Sequence, residues 1–188
     1  MITLEQERAV SALPADTPAA LAALAHARTI TVASIESVRR IVRSLRPQAL
    51  DELGLAHALD ALVHEFGERF GLQTECEHIG PDGADAVMPE EAASSLYRIA
   101  QEALNNVHKH ARASFVHVGL DLSSPGRATL FVVDDGVGFV SPGPGATGSF
   151  GIRGMRERVR ALGGTLEIGP TPAGGTRLEA RVAWPVAA

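Results

Sequence analysis

The stretch "LYRIAQEALNNVHKHA", Leu96–Ala111, decides how the chain is read. With Ala92 before it, its apolar residues recur at helical spacing, so that Ala92, Leu96, Ala100, Ala103 and Val107 form one stripe. The opposite face is unusual. Glu102, Asn106 and either Lys109 or His110 follow one another four, then three or four residues apart, and so project from the same side. A carboxylate, an amide, an ammonium and an imidazole thus share one ridge. On a single helix such a ridge is more often a solvated face than a site, so the decision rests on what accompanies it.

Two further constellations follow in order. "VVDDGVGF", Val132–Phe139, sits where an apolar strand ends. Asp134 closes the strand, and Gly136 and Gly138 lie in the turn beyond, where glycine permits positive φ and close backbone approach. A plain β-turn is the simple alternative, because Asp-Gly pairs are common turn formers. "GSFGIRGMRER" then brings Gly148, Gly151 and Gly154 into a helix carrying Arg153, Arg156 and Arg158. A glycine-rich helix entry presents free N–H groups and a positive dipole end, which suits phosphate. Each motif is weak alone; their joint order is not. No GxxxxGK[ST] loop occurs, and the GxxGxxG spacing follows a loop rather than a strand, which excludes the P-loop and the dinucleotide fingerprint.

The totals are consistent with this. A chain of 188 residues suits one domain plus a helical appendage, and 45% hydrophobic content is enough for a core. The net charge of -5 argues against direct nucleic-acid binding, so an anionic ligand must be held by a local arrangement. Cys76 is the single cysteine, which rules out an internal disulfide and fits a reducing compartment. "MITLEQERAV" lacks the basic start and apolar core of a signal peptide, and no apolar run approaches the roughly 20 residues of a membrane span.

Between Leu21 and Leu45 a seam of Leu21, Leu24, Arg28, Thr31, Ile35, Val38, Val42 and Leu45 steps alternately by three and four, as in helices packed lengthwise. Asp16 or Thr17 can cap this helix, Pro18 fits its first turn, and Pro47 in "LRPQALDELGL" ends it. The pattern then predicts a helix over Leu55–Phe70, a short strand in "GLQTECEHIG" and a helix over Pro89–Ala111. "FVHVGLDL" and "ATLFVVDD" flank the hairpin signal "SSPGR". After the loop "VSPGPGATGS" comes a helix with Ile152, Met155, Val159 and Leu162 inward, stopped by Gly163. "GTLEIG" and "TRLEARVAW" are the last strands. The expected class is α+β: a two-layer α/β sandwich, its mixed sheet covered on one face by helices, over residues 51–188, preceded by a helical stem over residues 1–50.

On these residues the chain resembles the ATPase superfamily that joins gyrase, Hsp90, histidine kinases and MutL. The ridge resembles its asparagine box, and the other two constellations its glycine boxes. Within that superfamily, "SLRPQALDELGL", "YRIAQEALNNVHKHA", "VVDDGVGF" and "GIRGMRERVRALGGTL" resemble the nitrate-sensor type of sensor histidine kinase, over about Leu21 to Trp184. The resemblance implies ATP and Mg²⁺ as cofactors. It implies that Asn106 holds Mg²⁺, for which an amide oxygen is a suitable hard ligand. Glu102 matches the catalytic acidic residue, and Lys109 and His110 match positions near the phosphates. Asp134 matches the aspartate that accepts a hydrogen bond from the adenine amino group; a carboxylate cannot donate, which selects against guanine's carbonyl. Gly136 and Gly138 would let the backbone approach the base, and Thr176 would lie near adenine. Gly148, Gly151 and Gly154 match the hinge and phosphate contacts of an ATP lid over roughly Val140–Phe150.

The family's phosphoacceptor histidine is followed by an acid on the first helix of a dimerising hairpin. The helix over Leu21–Leu45 matches the second helix of that hairpin, so most of the first would precede Met1. Of seven histidines only His64 precedes an acid, and it lies beyond the stem; His26 is in the wrong helix. His57, His78 and His117 show no metal-ligand clustering in sequence and read as structural or exposed. The implied partners are the histidine-bearing helix of the full-length kinase, a response regulator of the LuxR type and a second copy in the full-length protein. The alternatives are an anti-sigma-type serine kinase, which would not need the stem, a gyrase-like or Hsp90-like clamp, which needs a transducer domain, and a nucleotide-binding regulator.

Overall fold

The computed structural model describes residues 17–44, 48–139 and 149–185. Contacts divide the chain into two compact units, Met1–Arg46 and Pro47–Ala188. In the first, α1 (Thr17–Ser44) carries Pro18 in its opening turn. Its buried stripe is Ala20 and Ala27, with Ala23 and Ile30 half-buried. Leu21, Leu24, Arg28 and Thr31 of the expected seam are exposed in the single chain, which buries the adjacent face instead. The face buried within the chain carries Ala27 and Ile30 and leaves the polar Arg28 and Thr31 outside it. The side chains of Ile35, Val38, Val42 and Leu45 lie outside the described residues.

The second unit is a five-stranded sheet of order β1-β2-β3-β5-β4, built from β1 (Gln73–Ile79), β2 (Phe115–Asp121), β3 (Arg127–Asp134), β4 (Thr165–Pro170) and β5 (Thr176–Ala183). Only the β1–β2 pair is parallel, and its connection contains a helix, as a parallel step requires. The other pairs are antiparallel, so the sheet is mixed as expected. Helices α2 (Gln48–Phe70), α3 (Glu90–Asn106) and α4 (Ser149–Ala161) pack on it, with α3 against α2, α4, β3 and β5. This central position explains why α3 buries Tyr97, Ile99 and Leu104 as well as the anticipated Ala92, Leu96, Ala100 and Ala103.

Strand burial alternates with period two: Val116, Val118 and Leu120 on β2, Ala128, Leu130 and Val132 on β3, Leu178, Ala180 and Val182 on β5. The register aligns Val118 with Val132 and Val132 with Leu178, so the buried face is continuous. On the other face Phe131 lies over Gly119, where a Cβ would meet the ring at 1.9 Å, and the Arg177 guanidinium stands 4.9 Å from the same ring.

Two helices differ from expectation at their ends. α2 begins at Gln48 and is interrupted at Gly54 (φ 81°, ψ 176°), beyond which Asp85 caps the longer segment by accepting from Ala56 N at 3.0 Å. α3 stops at Asn106, and Val107–Ala111 form one π-turn ended by Arg112 at φ 52°.

Candidate functional site

The alternation of β3 decides which of two adjacent aspartates turns inward. Asp134 continues the buried series 128, 130, 132, and is 6% exposed, the one buried charged side chain among the described residues. Its Oδ1 accepts from Gly136 N at 2.9 Å and Thr176 N at 3.3 Å. Both described bonds fall on Oδ1, so the other oxygen retains acceptor capacity. Asp135 faces outward instead. Its carboxylate accepts from Ser114 N at 2.8 Å, Phe115 N at 3.0 Å and the Ser114 hydroxyl, and these bonds hold its pKa below the usual 3.8, the hydroxyl contributing most.

Asp134 lines a cavity of about 400 Å³. Val107, Ala111, Val132, Ile152, Met155 and Leu178 give it apolar walls, and Asn106, His110, Asp134 and Thr176 supply its polar groups. A slot of this size and character suits a flat ring that carries an N–H donor. The structure therefore brings Asn106, His110, Asp134, Gly138 and Thr176 of the anticipated residues to one cavity. Gly138 stands at φ 86°, in the left-handed region.

The remaining candidates are placed elsewhere. Lys109 is exposed on the π-turn and does not line the cavity. Gly136 is also outside the lining: a Cβ there would meet Ala111 O at 2.2 Å, and Val137 N donates to the same oxygen at 2.8 Å. Its lack of a side chain thus serves packing against the π-turn. Glu102 is half-buried one turn before Asn106, and its carboxylate abuts the first turn of α4, where a Cβ on Gly151 would stand 2.2 Å from Oε1. Gly154 lies in α4 beside the Arg158 guanidinium. Gly148 and residues 140–148 of the anticipated lid are outside the described residues.

Sequence reasoning named Ile152 and Met155 as inward but gave no cavity role to them, to Leu178 or to Ile168. Apolar wall residues have no motif; they read as core. His78 requires a correction. It meets Cys76 and Asp60 in one cluster, which sequence spacing conceals because Asp60 comes from another element. Burial, reinforced by Asp60, pushes the Cys76 thiol up to about 12.

The chain is similar to known proteins in sequence and in fold. Residues 91–186 match a family described as histidine kinase-, DNA gyrase B-, and HSP90-like ATPase. The chain is 42% identical over 145 residues to the sensor histidine kinase MctS of Rhizobium johnstonii, covering 76% of this chain and 31% of that protein. It is 40% identical over 151 residues to the signal transduction histidine-protein kinase/phosphatase DegS of Brevibacillus brevis, covering 80% of this chain and 38% of DegS. The chain thus spans about a third of the length of these relatives. The histidine kinase domain of the blue-light activated kinase EL346 of Erythrobacter litoralis has the same fold, with a TM-score of 0.59 at 19% identity, over 97% of this chain and 93% of that one.

Proposed function

Because the chain belongs to the histidine kinase-, DNA gyrase B-, and HSP90-like ATPase family and carries the ATP-binding catalytic region of a sensor histidine kinase, we propose that its Asp134 cavity takes adenine and that it passes the γ-phosphate of Mg-ATP to a histidine. The observation that carries this reading is a buried carboxylate in an apolar slot of nucleobase size, beside an asparagine on a helix end.

The residues present suit the group. Asp134 accepts the adenine amino N–H, held in place by the amides of Gly136 and Thr176. Val132, Met155 and Leu178 give the base an apolar surround. Gly138 allows close backbone approach. Asn106, at the cavity on the last turn of α3, would hold Mg²⁺ through its amide oxygen, with Glu102 one turn earlier. The metal, when bound, neutralises charge on the phosphate oxygens. Glu102 would orient and polarise the attacking group, and His110, at the cavity, and Lys109, exposed on the π-turn, would serve the phosphates. Gly148, Gly151 and Gly154 would supply phosphate contacts, as the resemblance implies. We also assign the chain to the nitrate-sensor type, with a LuxR-type response regulator, a homodimer in the full-length protein, a cytoplasmic location, and α1 as part of its dimerisation stem. Supporting this are the motif "SLRPQALDELGL" and the sensor kinases among its relatives. Among the described residues, no helix is long and apolar enough to cross a membrane.

The receiving histidine is taken to lie on the kinase's dimerising helix and not among the seven here. Six of these are exposed, and the half-buried His117 is held in the sheet. The test is incubation with radiolabelled ATP. The chain alone is expected to give no base-stable, acid-labile phosphohistidine. Adding a hairpin bearing a histidine followed by an acid should label the hairpin in trans, slowly, since the tether that raises effective concentration is missing. Labelling of His26 or His64 in the isolated chain would refute this placement.

A further inference from the structure

We propose that Asp60, Cys76 and His78 form a site for one divalent ion of the zinc class, separate from the nucleotide cavity. Cys76 and His78 are two residues apart on β1 and so share a face of the sheet. Asp60 reaches them from α2, which packs on that strand. Asp60 Oδ1 lies 2.9 Å from His78 Nε2, Cys76 Sγ lies 4.0 Å from the same nitrogen, and all three ligand atoms fall within 4.8 Å of one another.

Zinc bonds of about 2.0 Å to nitrogen and oxygen and about 2.3 Å to sulfur set tetrahedral ligand atoms roughly 3.3–3.6 Å apart. The oxygen–nitrogen pair would open by a few tenths of an ångström and the sulfur–nitrogen pair would close by about half an ångström. The oxygen–sulfur pair, within 4.8 Å, would close as well, and rotation about the side-chain bonds is the movement all three require. An Asp–His pair alone is an ordinary surface ion pair; the thiol at the third corner makes the difference. Thiolate, imidazole and carboxylate together favour zinc over magnesium or calcium, which prefer oxygen alone. The Asp60 and His78 side chains keep 49% and 32% of their exposure, so the fourth position opens to water or an added ligand. Binding exchanges the S–H bond for an S–Zn bond, with the proton passing to solvent and no change of oxidation state. None of the three residues lines the nucleotide cavity, and β1 is the far edge strand from β4.

The test is titration of the chain, free of nucleotide and magnesium, with cobalt as a spectroscopic substitute and then with zinc in competition. One equivalent of cobalt should give a thiolate-to-metal charge-transfer band in the near ultraviolet, and zinc should erase it. Cys76→Ser should abolish the band, and Asp60→Asn and His78→Asn should each weaken zinc at least tenfold. His57→Asn and His64→Asn are the controls, since both exposed imidazoles flank Asp60 on α2, three residues before and four after, and they should change nothing. Cys76→Ser should bind ATP as the parent does, which separates this site from the nucleotide reading and shows that the variant is folded. Binding without the band, or binding lost in the His57 or His64 variants instead, would mean that zinc meets surface imidazoles only and would overturn the site.

Discussion

At the residue scale, the adjacent pair Asp134–Asp135 shows how one step along a strand changes a carboxylate's task. Asp134 is buried with an oxygen left for a ligand, so Asp134→Asn should weaken ATP binding by about 1–3 kcal/mol, the scale of a charge-assisted hydrogen bond lost from a buried site. Calorimetry with ATP and GTP checks this, and equal affinity of the parent for both nucleotides would sink the adenine assignment. Asp135 instead ties the start of β2 to the end of β3. Its pKa is lowered in the folded state, chiefly by the Ser114 hydroxyl, so its stabilisation is present above the unfolded value of 3.8 and lost as pH falls through the lower folded one. Urea melts of parent and Asp135→Asn should therefore differ near neutrality and converge in strong acid. A difference that persisted below that range would mean that packing, not charge, is at stake.

At the element scale, α3 and its π-turn set the site by what crowds them. Two glycines test this differently. A Cβ at Gly136 would strike the Ala111 carbonyl, a backbone atom that cannot step aside, and Gly136→Ala should cost about 1–3 kcal/mol of stability. A Cβ at Gly151 would strike the Glu102 carboxylate, the end of a flexible side chain. Gly151→Ala should therefore change the melting point little while displacing Glu102. If Glu102 polarises the attacking group, Gly151→Ala and Glu102→Gln should both keep most ATP affinity and both lose most phosphoryl transfer to the added hairpin. Transfer at the parent rate in the Glu102 variant would return that part of the ridge to ordinary surface.

At the scale of the whole molecule, every residue of the core cluster lies between Leu50 and Val182. The second unit thus contains its own core, and residues 47–188 alone should unfold in one cooperative transition and bind ATP as the whole chain does, measured by calorimetry. A broad transition or lost binding would show that α1 completes the fold. The sequence by itself determined the elements of this unit. Period-two runs such as Val116–Leu120 and period-3.6 runs such as Leu96–Val107 are local properties, and the DDGVG turn and the glycines of α4 announce themselves by residue type. What sequence could not determine was which faces are buried and which converge. On α1 the face buried within the chain, with Ala20 and Ala27, is one residue from the three–four seam that the sequence offers to a partner helix. The π-turn that sets His110 at the cavity while keeping Lys109 out of its lining, the apolar wall shared by Met155 and Leu178, and the meeting of Asp60 with Cys76 and His78 depend on packing between segments distant in the chain. Periodicity records which face of an element is apolar; only the packed tertiary structure decides which faces meet, because contact energies between distant segments leave no local mark in the sequence.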